Sequence, residues 1–324
     1  MQHIGIYKQA IDLALNEQQL PESPQRLYAP IEYILSLGGK RLRPVLTLMS
    51  CDCFGGTYTR AIPAALAIEL FHNFSLIHDD IMDQAPLRRG QQTVHHKWDL
   101  NTGILSGDAL LILAYRHFES YTPEVFSALS KLFSQTAIEV CEGQQYDMDF
   151  EQRQEVGMDQ YLLMINYKTA VLVGAAMKMG AIVAQANHRQ QDLIYEFGRS
   201  LGVAFQLQDD YLDAFGDPEV FGKQLGGDIL SGKKTFLYIS ALENGTDEQR
   251  QHLLDLYSDT ALNEAQKVES VKALFEETGA TQAIQESIKQ HTEHAFSQLE
   301  LTDLSLQAKA HLADFGKALM NRSF

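Results

Sequence analysis

The chain has 324 residues, 45% apolar and 21% charged, enough to bury a large core. Lys plus Arg total 26 against 42 Asp plus Glu, a formal net charge of -16. That balance repels nucleic-acid backbones and gives no electrostatic hold on anionic membranes, so an anionic substrate needs a local basic pocket or metal ions.

The N-terminal stretch Met1 to Ala10 lacks a basic run followed by an apolar one, so no signal peptide is expected. Gly38-Gly39 ends one helix, and Pro44 suits the first turn of the next. Cys51 and Cys53 show C-x-C spacing without a second pair, which argues against zinc. With Cys141 they read as buried or half-buried thiols in a reducing cytoplasm. Gly55-Gly56 makes another break.

From Ala61 to Asp83 apolar residues Leu66, Leu70, Phe74 and Ile77 recur at helical steps. Ala85 to Gly90 is a polar turn. Gly103 to Ser120, Glu124 to Asp149, Asp159 to Ala184 and Gln191 to Asp213 read as helices, as do the segments after Thr246. The most apolar stretch, Val171 to Ala184, carries Lys178 and is shorter than the about 20 residues a membrane span needs, so it is expected in the core. Ala214 to Lys234 is the longest irregular stretch and a candidate lid. No strand is expected. With no linker in sight, residues 1–324 are expected to form one all-α domain, a bundle of many helices.

Two acidic clusters carry the chemistry. Asp79-Asp80-Ile81-Met82-Asp83 recurs as Asp209-Asp210-Tyr211-Leu212-Asp213. Positions four apart share one helix face, about 5.4 Å apart along the axis. Asp79 therefore points with Asp83, and Asp209 with Asp213. Such carboxylates are hard ligands suited to Mg2+, which adds phosphate and water to one or two carboxylates. A solvated acidic face is the plainer reading, but acids near a helix C-terminus oppose its dipole, and here that happens twice.

Basic groups accompany both clusters. Lys40 and Arg43 follow the Gly38-Gly39 pair, Arg88 and Arg89 follow the first cluster, and Lys223, Lys233 and Lys234 follow the second. Arg offers a planar fork to phosphate oxygens and Lys a point charge. His72 shares the Asp79 face, and Gln206 stands one turn before Asp209. Lys168-Thr169 lies mid-helix, where a partly buried Lys needs an anionic partner. Gln144 and Asp147 form a polar one-turn pair in an otherwise apolar helix.

The segments Gly38-Gly39-Lys40-Arg41-Leu42-Arg43-Pro44, D-D-x-x-D followed by Arg88-Arg89-Gly90, G-Q-x-x-D, Lys168-Thr169 and Q-x-x-D-D-Y-x-D follow one another along the chain. Together they resemble the trans-isoprenyl diphosphate synthases, over about residues 30 to 240. The resemblance implies a bundle of roughly a dozen helices around a deep central cavity, usually a homodimer, joining isopentenyl diphosphate to an allylic diphosphate. It implies that Asp79, Asp83 and Asp209 hold about three Mg2+ ions with the allylic diphosphate. Arg88, Lys168 and Lys223 would bind that diphosphate with Lys233 assisting, and Lys40, Arg43, His72 and Arg89 would bind isopentenyl diphosphate. Asp80, Asp210, Asp213, Gln144 and Asp147 would support these groups. Thr169 and Gln206 would line the reacting carbons. Phe74, with the small Ser75 beside it, would form the floor that stops elongation. An aromatic there without an insertion in the first Asp cluster resembles geranylgeranyl synthases, which favours a C20 product over C15. A terpene cyclase and a non-catalytic subunit are the rival readings. The second Asp cluster and the Gly-Gly-Lys segment count against the first, and retention of both clusters against the second.

Overall fold

The computed structural model describes residues 2–217, 225–259 and 261–321. Helices follow one another in chain order. The first seven are α1 (Gln2–Asn16), α2 (Gln25–Ser36), α3 (Leu42–Cys53), α4 (Ile62–Met82), α5 (Val94–Lys97), α6 (Leu100–Arg116) and α7 (Pro123–Gln152). Then come α8 (Met158–Ile165), α9 (Val171–Val183), α10 (His188–Phe215), α11 (Gly227–Leu230), α12 (Phe236–Asn244), α13 (Asp247–Ser258), α14 (Glu264–Glu277), α15 (Ala280–Glu300) and α16 (Leu306–Met320).

Two apolar clusters hold them together. The first gathers α1 to α4, α6, α7 and α9 around Leu70, Phe71, Phe133 and Met177. The second gathers α8 and α12 to α15 around Ile239, Val271, Phe275 and Ile284. Helix α10 belongs to both, giving Ile194, Phe197 and Leu201 to the first and Val203, Leu207 and Ala214 to the second. Its two ends are thereby fixed, so the acidic cluster it carries is held rigidly.

The punctuation falls where the glycines stand. Gly38 and Gly39 adopt φ of 74° and 136°, the left-handed region that favours glycine. Pro44 sits in the first turn of α3. In the second half Thr246 caps α13 reciprocally with Gln249.

Four expectations are corrected. The turn after the first Asp cluster is a small hairpin, with Leu87–Arg88 antiparallel to Gln91–Gln92, so strand is not wholly absent. Arg89 and Gly90 at its tip have φ of 53° and 75°, the pattern of a tight hairpin turn. Cys141 is exposed, whereas Cys51 is buried and Cys53 half-buried. Helix α10 continues to Phe215, and α11 adds a turn within the stretch read as irregular. Finally, the helix expected from Asp159 to Ala184 is present as one run, so the length argument made on Val171 to Ala184 alone does not hold. Helix α9 continues α8 through a π-helical turn, Asn166–Ala170, and residues 158–183 form a run long and apolar enough to cross a membrane, as do 58–82. Length therefore does not argue against a span. Both runs lie mainly inside the fold, 61% and 67% buried.

Candidate active site

Helix α4 ends at Met82, and Asp83 caps it. Asp79 is half-buried and Asp83 exposed, while Asp80 turns inward and is only 1% exposed. Asp80 is clamped by Arg88, whose Nε lies 2.9 and 2.8 Å from its two oxygens and whose Nη2 lies 2.7 Å from Oδ1. The hairpin is what returns Arg88 to the helix end. Burial pushes the Asp79 carboxyl up to about 6, Lys168 works against the rise, and neighbouring Asp83 adds to it. A carboxylate desolvated in this way is stabilised by an added cation.

Helix α10 supplies the second acidic wall. Asp209 is half-buried. Asp210 is buried, takes a hydrogen bond from the Tyr161 hydroxyl, and accepts Gln206 Nε2 at 3.2 Å. Burial and the nearby Asp228 push the Asp210 carboxyl up to about 8. Thr169 Oγ1 donates in turn to Gln206 Oε1 at 3.3 Å. Asp213 serves the rim: its Oδ2 accepts the Asp228 N–H at 3.0 Å and its carbonyl the Gly226 N–H at 2.7 Å.

Cations lie between the walls. The π-helical turn places Lys168 with Nζ 2.5 Å from Asp147 on α7. Gly143 makes that approach possible, because a Cβ there would stand 2.2 Å from the Lys168 nitrogen. Lys233 Nζ is 3.8 Å from Asp228. Burial pulls Lys233 down, and Asp228, Asp147 and Asp83 more than reverse this, leaving it raised. Lys234 is committed elsewhere, donating to the Phe150 carbonyl at 2.9 Å. A cavity of about 110 Å³ opens here, lined by Asp147, Tyr161, Lys168, Thr169, Gln206 and Asp210 among others. Gln144 is buried nearby on α7, and neither its side-chain oxygen nor its nitrogen has a hydrogen-bond partner.

A basic pole completes the site. Arg43 Nη1 lies 3.2 Å from His72 Nε2, and Arg43 Nε is buried without a hydrogen-bond partner. His72 is held well below the usual imidazole value by burial and by Arg43, Arg89 and Arg88. It is therefore neutral, and its ring nitrogen accepts from the guanidinium. Arg89 donates to the Gly38 carbonyl and lies over Gly39, where a Cβ would meet its Nη2 at 2.9 Å. Lys40 is exposed beside them. Lys223 lies outside the described residues, as do residues 218–224 of the proposed lid. Phe74 is buried, its ring centroid 4.7 Å from His78 and 5.4 Å from Phe71. Ser75 Oγ bonds back to the His72 carbonyl at 2.9 Å.

The structure thus joins Arg43, His72 and Arg89 into one group, and Lys168, Thr169, Gln206 and Asp147 into another. Sequence reasoning passed over three residues. Tyr161 carries no local signal. Asp228 stands near Lys233 after Gly226-Gly227, a readable clue. Arg41 bonds Glu69 at 2.5 Å and the Leu35 carbonyl at 2.7 Å, which makes it the strut that holds the basic loop.

Residues 24–277 match the family model of polyprenyl synthetase. The chain belongs to the polyprenyl synthetase family. It is therefore a prenyltransferase of the isoprenyl diphosphate synthase class. It is 37% identical to a geranylgeranyl pyrophosphate synthase from Geoglobus acetivorans over 98% of this chain and 96% of that one. A geranylfarnesyl diphosphate synthase from Aeropyrum pernix is 39% identical, over 72% of this chain and 75% of that one. A crystal structure of a geranylgeranyl pyrophosphate synthase superposes with a TM-score of 0.94 at 49% identity, covering 98% of each chain. A family match reaching residue 277 extends past the sequence motifs into α14.

Proposed function

We propose that this synthase extends an allylic diphosphate with isopentenyl diphosphate to a C20 geranylgeranyl diphosphate, with Mg2+ as cofactor. The observation that carries the reading is the pairing of the two poles. Arg43, with an unpartnered buried Nε beside neutral His72, adjoins acidic walls whose Asp79 is raised by burial.

The donor set fits Mg2+. Asp79, Asp83 and Asp209 offer only carboxylate oxygen. Among the described residues no three acidic, His or Cys side chains converge closely enough to enclose an ion alone. That suits an ion that takes one or two carboxylates and completes its shell with water and substrate phosphate. When bound, it would supply Lewis-acid stabilisation of the departing pyrophosphate.

The chain's own groups do the rest. Arg88, Lys168 and Lys233 hold the allylic diphosphate, and Arg43, His72, Arg89 and Lys40 hold isopentenyl diphosphate. The allylic C–O bond breaks with its electron pair going to pyrophosphate. The isopentenyl double bond attacks the allylic cation, and the resulting cation loses a proton, which pyrophosphate takes. Thr169 and Gln206 present oxygen to the developing positive charge. Water would have to be excluded while the cation exists, since it would otherwise capture it.

The C20 length is supported by Phe74, five residues before Asp79, and by relatives whose names specify geranylgeranyl products. Other relatives named for geranylfarnesyl products make C25, not C15, the nearer runner-up. Mass spectrometry of products from labelled isopentenyl diphosphate with dimethylallyl, geranyl or farnesyl starters and Mg2+ tests this. A dominant C15 or C25 product refutes the length, and absence of any longer diphosphate refutes the reaction.

We further propose a cytoplasmic homodimer without a membrane span. Ile104, Leu105 and Ile112 expose apolar surface on α6, which a second copy would cover. Light scattering that returns a single 36.4 kDa chain at micromolar concentration would refute the dimer, and recovery with membranes on fractionation would refute the location.

A further inference from the structure

Tyr161 sits on α8 with 2% exposure, its ring edge-on to Phe236 at 6.5 Å between centroids. Its hydroxyl donates to Asp210 Oδ2. The other carboxyl oxygen, Oδ1, accepts Gln206 Nε2 at 3.2 Å, and Gln206 Oε1 accepts Thr169 Oγ1 at 3.3 Å. The chain of bonds is unbranched, and all four side chains line the same cavity.

The geometry constrains each link in turn. A carboxyl held through one oxygen only is free to swing about its terminal torsion, which is broad and roughly two-fold. Tyr161 holds the second oxygen, so Oδ1 stays against Gln206. In the structure the amide stands with its nitrogen toward Asp210 and its oxygen toward Thr169. The Thr169 hydroxyl proton then lies on Gln206 Oε1, which leaves the Thr169 oxygen lone pairs for the cavity it lines. Donors and dipoles fixed before the reaction stabilise developing charge without reorganising during it.

We propose that Tyr161 is a positioning residue for the ionisation step: acting through Asp210, it holds the Gln206 amide and the Thr169 hydroxyl with their oxygens toward the reacting allylic carbons. This rests on the assignment of Thr169 and Gln206 to the carbocation given under Proposed function. A buried tyrosine hydroxyl needs a hydrogen-bond partner in any protein, so a purely structural Tyr161 would cost stability when altered and leave the chemical step alone.

The test is a double-mutant cycle on the full-length protein with saturating Mg2+, read by single-turnover rate and by KM for both diphosphates. Gln206→Ala should slow the chemical step. Tyr161→Phe keeps the ring and removes only the hydroxyl. It should slow that step about tenfold, the scale of one lost hydrogen bond of about 1.4 kcal/mol, with both KM values held within about twofold. In the Gln206→Ala background Tyr161→Phe should have no further effect, since the side chain it positions is gone. If Gln206→Ala reacts at the wild-type rate, the carbocation assignment fails and the inference falls with it. If Gln206→Ala is slow but Tyr161→Phe is silent, or its effect multiplies in the double variant, the assignment stands and the positioning role is overturned. Should Tyr161→Phe melt below the assay temperature, the same cycle with Asp210→Ala severs the chain one link nearer. The same non-additivity is expected there, and multiplying effects would overturn the proposal.

Discussion

A methyl group added at Gly143 should injure catalysis far more than stability. The new Cβ would lie 2.2 Å from the Lys168 nitrogen, 2.7 Å from its Cα and 2.7 Å from the Tyr167 carbonyl carbon. Ordinary contact begins at 3.4 Å, so the two backbones must part by about 1.2 Å. All three neighbours are backbone and cannot turn aside as a side-chain tip can. Overpacking of this kind costs roughly 1–3 kcal/mol, while Gly→Ala inside a helix returns about 1 kcal/mol in propensity. The net loss of stability is therefore about 0–2 kcal/mol, a few degrees in Tm. The displaced segment carries Lys168 and Thr169, however. A shift of about 1 Å breaks the 3.3 Å Thr169–Gln206 bond, and misplacement of that size in a reacting assembly can cost about 100-fold in rate. Thermal melts and steady-state turnover of Gly143→Ala should thus diverge. Gly5→Ala is the control, since Gly5 lies in α1 and a Cβ there meets nothing within 4 Å. Wild-type turnover in Gly143→Ala would mean that the close approach of α7 to the π-helical turn does not position Lys168 and Thr169 for the proposed reaction.

Asp79→Asn and Asp209→Asn should each lower turnover by about 100-fold or more, the scale of lost electrostatic stabilisation, with the melting curve retained. Near-normal turnover under saturating Mg2+ would remove either residue from the metal site. Arg43→Ala should raise KM for isopentenyl diphosphate far more than for the allylic partner, and Arg88→Ala the reverse; equal effects would dissolve the division of the pocket. His72 has a folded pKa well below the unfolded 6.5, so below that value the unfolded chain binds more protons. Its contribution is intact above pH 6.5 and is lost as pH falls, so wild type should lose Tm relative to His72→Gln between pH 7 and 5, and parallel acid curves would show His72 to be protonated in the fold. Phe74→Ala should yield longer products from the same starter, at about 3–5 kcal/mol of packing loss. An unchanged product distribution in a folded, active variant would show that Phe74 is not the floor.

The parts of the site legible in sequence are those fixed by helical spacing. Asp79 and Asp209 each stand near the end of a long amphipathic helix, so their placement follows from periodicity alone, and α4, α7 and α10 appear within a few residues of their expected bounds. Contacts between elements were not legible. Helical spacing already sets Asp80 apart from Asp79 and Asp83, but its clamping by Arg88 was not readable, because it needs the Arg89-Gly90 turn to fold the chain back. That dipeptide was the available clue to the hairpin. The π-helical turn left no clue: it depends on the close approach of Gly143, twenty-three residues before it. The same turn joins α8 to α9 and defeats a length argument based on Val171 to Ala184 alone. The roles of Tyr161 and of Arg41, the latter quoted in the basic segment, were invisible for a similar reason, since each acts on a group distant in sequence.

The pairing of charges across the site explains how an acidic chain can accept an anion. Arg88 is bonded to Asp80, Lys168 to Asp147, and Lys233 lies against Asp228. A diphosphate that pulled Arg88 away would strand Asp80, a carboxylate 1% exposed, as an unpaired buried charge, and breaking such a pair costs about 3–5 kcal/mol. Exchange is therefore disfavoured. Addition is not: a guanidinium has five N–H donors, and the bonds to Asp80 involve only Nε and Nη2, leaving Nη1; an ammonium has three, and Lys168 gives one to Asp147. The pairs act as fixed brackets, each cation already oriented by its carboxylate and still able to donate. A lone diphosphate entering between them would face the net negative charge of the two walls. A diphosphate arriving with Mg2+ carries the positive charge that Asp79, raised to about 6 by burial, lacks. On the proposed function, this arrangement would favour the metal complex over the free anion, because burial of Asp79 disfavours its charge until a cation is added.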